Sequence, residues 1–115
     1  MKIRNTEIKI KVGLDENNIP VDMKWMASDS EVPELLDCKA FNLSIWDPVE
    51  DNSLGISLWT DSMTVDKMHA HYFRTLMNIT GSYVQATGNP YALEEIKTFC
   101  NELAKKTNAW EESKK

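Results

Sequence analysis

Residues 54–69 read Leu54-Gly55-Ile56-Ser57-Leu58-Trp59-Thr60-Asp61-Ser62-Met63-Thr64-Val65-Asp66-Lys67-Met68-His69, and the hydrophobic period changes in their middle. Leu54, Ile56 and Leu58 alternate with Gly55, Ser57 and Trp59, which is the period of two of a strand. After Asp61 the period lengthens. Val65, Met68, Tyr72, Leu76, Ile79 and Tyr83 recur at three-, four- and seven-residue spacings, the signature of one helix face. Thr64 is placed to cap that helix, and Asp66 falls in its first turn, facing the positive end of the dipole. The chain therefore builds strands first and helices second, the pattern of an α+β domain.

Towards the N-terminus the strand period persists. Ile8, Ile10, Val12 and Leu14 alternate with Glu7, Lys9, Lys11 and Gly13. The polar turn Asp15-Glu16-Asn17-Asn18 follows. Ile19, Val21, Met23, Trp25 and Ala27 then alternate with Pro20, Asp22, Lys24, Met26 and Ser28. Pro20 has no N–H to donate and suits a strand start or an edge. These runs make one hairpin. Residues 28–37 are acidic, contain Pro33 and read as a surface loop with room for one helical turn. In residues 38–46, Phe41, Leu43 and Ile45 alternate with Asn42, Ser44 and Trp46. The turn chemistry of residues 47–53 joins them to the strand ending at Trp59, giving a second hairpin. The expected fold is a four-stranded antiparallel sheet of two hairpins, followed by two C-terminal helices packed on one face. The strand order is open.

Towards the C-terminus, Phe73, Met77 and Val84 widen the apolar stripe of the first helix beyond one face, which implies cover by the second helix or by a second subunit. Gly81 inside this helix suggests close packing or a bend. Gly88 suits a left-handed helix end. Asn89-Pro90 reads as cap and first position of a second helix. Leu93, Ile96, Cys100, Leu103, Thr107 and Trp110 follow at three- and four-residue steps. Residues 111–115 are polar and are expected to fray.

A chain of 115 residues with 42% hydrophobic and 27% charged residues reads as one domain, residues 1–115, large enough for a core without staples. The net charge of −5 opposes nucleic acid and anionic membrane surfaces. No apolar leader follows Met1, and no segment is long and apolar enough to span a bilayer. The cytoplasm is the expected location. Cys38 and Cys100 match no zinc spacing and read as reduced, buried thiols; a disulfide between them stays open. His69 and His71 point about 200° apart on a helix and cannot share a metal. The carboxylates of residues 15–16 and 47–51 lack the pattern of a calcium loop. We expect no enzymatic activity, no catalytic or metal residues and no cofactor.

Tryptophan is the surplus. There are four in the chain. Trp25 shares the aliphatic face of its strand and reads as core. Trp46 and Trp59 fall on the face opposite Phe41, Leu43, Leu54 and Ile56, and Met26 has the same outward parity. Trp and Met exposed together are enriched where proteins meet. Met26, Trp46 and Trp59 are therefore the candidate partner-binding residues, and a homo-oligomer is expected from the broad first helix.

Three phrases carry a family resemblance: Leu14-Asp15-Glu16-Asn17-Asn18-Ile19-Pro20, Cys38-Lys39-Ala40-Phe41-Asn42-Leu43-Ser44-Ile45-Trp46-Asp47, and Leu58-Trp59-Thr60 with Met63-Thr64-Val65-Asp66-Lys67-Met68. Tyr72-Phe73-Arg74-Thr75-Leu76 and Ala86-Thr87-Gly88-Asn89 also fit. The chain resembles the gliding motility-associated protein GldC family of Bacteroidota, from about Glu7 into the second helix, less clearly from Thr98 onward. That resemblance implies an accessory role in gliding and the secretion machinery that shares its parts, without a defined enzymatic activity, cofactor or set of functional residues. The order of four strands and two helices is also that of the SecB export chaperone, an analogy of fold only. It sets the alternative expectation: a holdase for exported proteins.

Overall fold

Asp15 closes the first hairpin with its side chain. Its Oδ1 accepts the backbone N–H groups of Asn17 at 2.8 Å and Ile19 at 3.0 Å. Asn18 adopts a left-handed backbone, φ 63°, which Asn tolerates well. The computed structural model describes residues 2–31 and 33–115. In it this turn joins β1 (Ile8–Leu14) to β2 (Pro20–Ala27). The antiparallel register sets Ile8 against Ala27, Ile10 against Trp25 and Val12 against Met23. Residues directly opposite share a face, so the aliphatic halves of both strands coincide as expected. Pro20 opens β2, where its missing donor does least harm.

The next segment departs from the sequence reading. Leu36–Cys38, taken there as loop and strand start, forms a short third strand, β3, antiparallel to β2. Three residues are too few to show a period. Val32 of the expected loop lies outside the described residues. Lys39 then interrupts the run that read as one strand, and β4 (Ala40–Asp47) pairs with β5 (Asn52–Trp59). The expectation of one four-stranded sheet is thus corrected to a three-stranded sheet, β1-β2-β3, and a two-stranded ribbon, β4-β5. The cause is at Lys39: residues before it ladder with β2 and residues after it with β5.

The chain divides into two compact units, residues 1–63 and 64–115. Within the first, the end of β5 is stitched to its neighbours. Thr60 N–H donates to Lys39 O at 2.8 Å, and Asp61 N–H donates to Pro20 O at 3.2 Å. Thr60 is 0% exposed and Met23 1% exposed, the two buried residues among those described. The Thr60 hydroxyl is satisfied by that of Ser62 at 2.9 Å, as a buried polar group must be.

The second unit is a helical hairpin. In α1 (Val65–Thr87), Thr64 Oγ1 accepts Lys67 N–H at 3.2 Å, and Gly88 ends the helix at φ 73°, donating its N–H to Val84 O at 2.8 Å. Both ends match expectation. α2 spans Ala92–Ser113, and its start does not. Asn89 Oδ1 accepts Tyr91 N–H at 3.1 Å, a bond of the capping kind, but the regular helix starts at Ala92, two residues after Pro90. Its far end holds to Ser113, with Lys114 Nζ 3.6 Å from the Trp110 ring centroid. His69, early in α1, reaches Glu111, late in α2, at 3.4 Å, so the helices run antiparallel. Gly81 is not closely packed: a Cβ there would meet nothing within 4 Å. Neither helix has a fully buried residue.

Candidate partner-binding surface

The β4-β5 ribbon places its tryptophans by register. Phe41 faces Leu58, Leu43 faces Ile56 and Ile45 faces Leu54, giving one aliphatic face. Ala40 faces Trp59 and Trp46 faces Ser53 on the other. The two tryptophans share a face, 60% and 50% exposed. They stand at opposite ends of it, six residues or about 20 Å apart along the ribbon at ~3.3 Å per residue. Between them lie Asn42, Ser44, Gly55 and Ser57, with Asn42 Nδ2 donating to Ser57 Oγ at 2.8 Å. Trp59 also walls a hollow of about 380 Å³ with Ile19, Pro20, Leu58 and Asp61. A flat polar floor with an indole at each end can take two side-chain anchors of a partner.

Met26 lies elsewhere, on β2 of the three-stranded sheet and half-buried. It faces Lys9 across the ladder. Its face carries Lys24, which bonds Asp37 at 2.6 Å and lies 3.7 Å from Asp22. That hydrogen bond, with Asp22 adding to it, raises the Lys24 pKa, and the same bond to Lys24 lowers the pKa of Asp37. The structure therefore brings Trp46 and Trp59 onto one face and leaves Met26 in a salt-bridged, polar setting.

The opposite, aliphatic faces were expected to be core. Instead Trp25 is partly exposed, and with Ile8, Ile10, Cys38, Ala40 and Phe41 it lines a hollow of about 260 Å³. Ile8 is 76% exposed. Sequence parity identifies these residues as one face but cannot say whether anything lies over it.

The groups weighed for chemistry are dispersed. Cys38 and Cys100 are free thiols in different units. Burial, with Asp37 and Asp22 nearby, pushes the Cys38 thiol above its ordinary value, the reverse of what activates a nucleophile. His69 pairs with Glu111 and stacks on Phe73. Among the described residues, no three of His, Cys, Asp or Glu are grouped to hold a metal, and no helix is long and apolar enough to cross a membrane.

The features so far define an α+β protein whose distinctive surface is aromatic and aliphatic, with indoles displayed on a β-ribbon. Residues 20–109 match the family model for gliding motility-associated GldC-like proteins. The chain belongs to that gliding-motility family. The match reaches Ala109, through the part of α2 where the quoted phrases were weakest. No curated protein and no solved structure matches the chain.

Proposed function

We propose that this chain is a non-catalytic accessory protein of bacterial gliding motility that acts in the cytoplasm by binding a protein of that machinery. Membership of the GldC-like family supports the setting. The observation that carries the mechanism is the shared, solvent-facing side of Trp46 and Trp59. Exposed indoles supply large rigid contact area, and few residues contribute as much per side chain to protein interfaces. Their separation makes them two anchors rather than one cluster, with Met26 a peripheral contact on the neighbouring sheet.

The test is a cross-linked pull-down from a gliding bacterium. The unaltered chain is compared with Trp46→Ser, Trp59→Ser and the double variant, each checked by circular dichroism. One or two stoichiometric partners, weakened by either single change and lost in the double variant, is the expected result. If the folded double variant retains every partner, the ribbon face is not the contact. A broad set of non-native exported chains would replace the adaptor reading with a SecB-like holdase.

A further inference from the structure

A strand at the rim of a sheet exposes backbone groups that another strand can pair with, and rims commonly carry charge, proline or a bulge that blocks this. β1 carries Lys9, Lys11 and a register shift between Gly13 and Leu14. β3 is only three residues long. β5 has none of these devices. Residues 52–59 contain no charge and no proline, their register against β4 runs without a shift, and among the described residues β4 is their one ladder partner. Thr60 N–H points inward, to Lys39 O. Ladder bonds fall on alternate residues of an antiparallel strand, so Leu54, Ile56 and Leu58 bond inward while Ser53, Gly55 and Ser57 face outward. Asp61 N–H, further along the outward series, reaches Pro20 O, and Ser53 N–H is taken by Asn52 Oδ1. Gly55 and Ser57 present the donors of a neutral edge.

We propose, resting on the function proposed above, that the partner of the indole face docks as a strand added to this edge, through an extended, uncharged segment flanked by lysine or arginine. Strand addition gives affinity through the main chain and sets alternate side chains of the newcomer on the face of Trp46 and Trp59. The backbone selects an extended occupant. Residues 64–115 bond their own backbone groups within α1 and α2, so wherever they lie they cannot ladder with β5. The chain's own basic extended segment is engaged elsewhere, with Arg4 Nη1 2.9 Å from Asp29 Oδ1. Charge selects the flanks. Glu50 and Asp51 lie exposed at one end of β5 and Asp61 at the other. The β5 of a second copy would bring carboxylates against carboxylates in either direction, which is unfavourable. Basic flanks meet acid at both ends.

The test uses the full chain and a probe peptide of alternating valine and threonine with two lysines at each end. Tryptophan fluorescence should report saturable binding. Hydrogen exchange at the Gly55 and Ser57 amides, fast in the free chain, should slow in the complex. Two twins of the peptide carry methyl groups on alternate backbone nitrogens, one set for each edge. One twin should bind about tenfold or more weakly and the other like the parent, because one edge alone donates to β5. Glutamate in place of the lysines should weaken binding to a similar degree. Gly55→Pro removes an outward donor, which an edge strand tolerates, and a Cβ there meets Leu43 O at an ordinary 3.8 Å. It should weaken the peptide about tenfold as well; should it not fold, the methylated twins decide alone. Gly55 and Ser57 amides already protected in the free chain overturn the proposal. So does a peptide that does not bind, a pair of methylated twins that both bind like the parent, or glutamate ends that serve as well as lysine ends. In the pull-down from a gliding bacterium, a partner lost with the double tryptophan change but kept by folded Gly55→Pro overturns the added strand and leaves the proposed function standing. A partner kept by the double tryptophan variant but lost with Gly55→Pro does the reverse.

Discussion

Met23 is the side chain on which the sheet unit is centred. It sits on the middle strand between Val12 and Cys38 and is 1% exposed. Met23→Ala should cost about 2–5 kcal/mol in chemical denaturation. Ile8→Ala, at the open end of β1, should cost less than about 1 kcal/mol, because little water is displaced from Ile8 on folding. Equal losses at the two sites would show that Ile8 is covered in solution. Lys24 and Asp37 offer a second residue-scale check. Asp37 should titrate below the usual aspartate range by carbon-detected NMR, and move back up in Lys24→Met. Its folded pKa is depressed, so its contribution to stability is present above the unfolded aspartate value. That contribution is lost as pH falls through the folded one. Lys24 is raised, so its share is lost only as pH rises past the elevated lysine value. The cross-strand setting of this pair was hidden in the sequence, because Asp37 lay in a segment read as loop.

The helices give a paired prediction. Gly88 holds φ 73° at the end of α1, so Gly88→Ala forces a side chain into left-handed backbone and should cost about 1 kcal/mol. Gly81 is in mid-helix with open space around it, so Gly81→Ala should raise stability by about 0.5–1 kcal/mol. Thermal melts of the two variants should move in opposite directions. The cap at Thr64 and the stop at Gly88 were readable because each depends on one residue and its immediate neighbours. The start of α2 was read two residues early: Asn89 does bond the Tyr91 N–H, two residues on, as a capping asparagine does, but the regular helix runs only from Ala92. The ribbon shows the same division. Alternation named both of its faces, and pairing of residues 40–47 with 52–59 followed from the turn between them, with Asp47 Oδ1 accepting Val49 N–H at 2.9 Å.

At the scale of the molecule, two residues are buried among those described, and a homo-oligomer, the expectation from the broad first helix, would add to stability. The melting temperature of the unaltered chain should therefore rise with protein concentration, because mass action favours a folded state that is also a complex. A melting temperature independent of concentration would mean that each chain is stable alone. By itself the sequence determined the α+β class, the first hairpin, the ribbon, both ends of α1, the outward parity of Trp46 and Trp59 and the family phrases. All of these rest on spacing along the chain, and spacing survives without coordinates. Only the tertiary structure decided that Lys39 splits the strands into two sheets and that Leu36–Cys38 joins the first. It alone placed Met26 among charges and set the two indoles at opposite ends of their face. These outcomes depend on which distant segment supplies the hydrogen bonds and cover, and residues such as Lys39, Thr60 and Pro20 carry no local signal of the partners they meet.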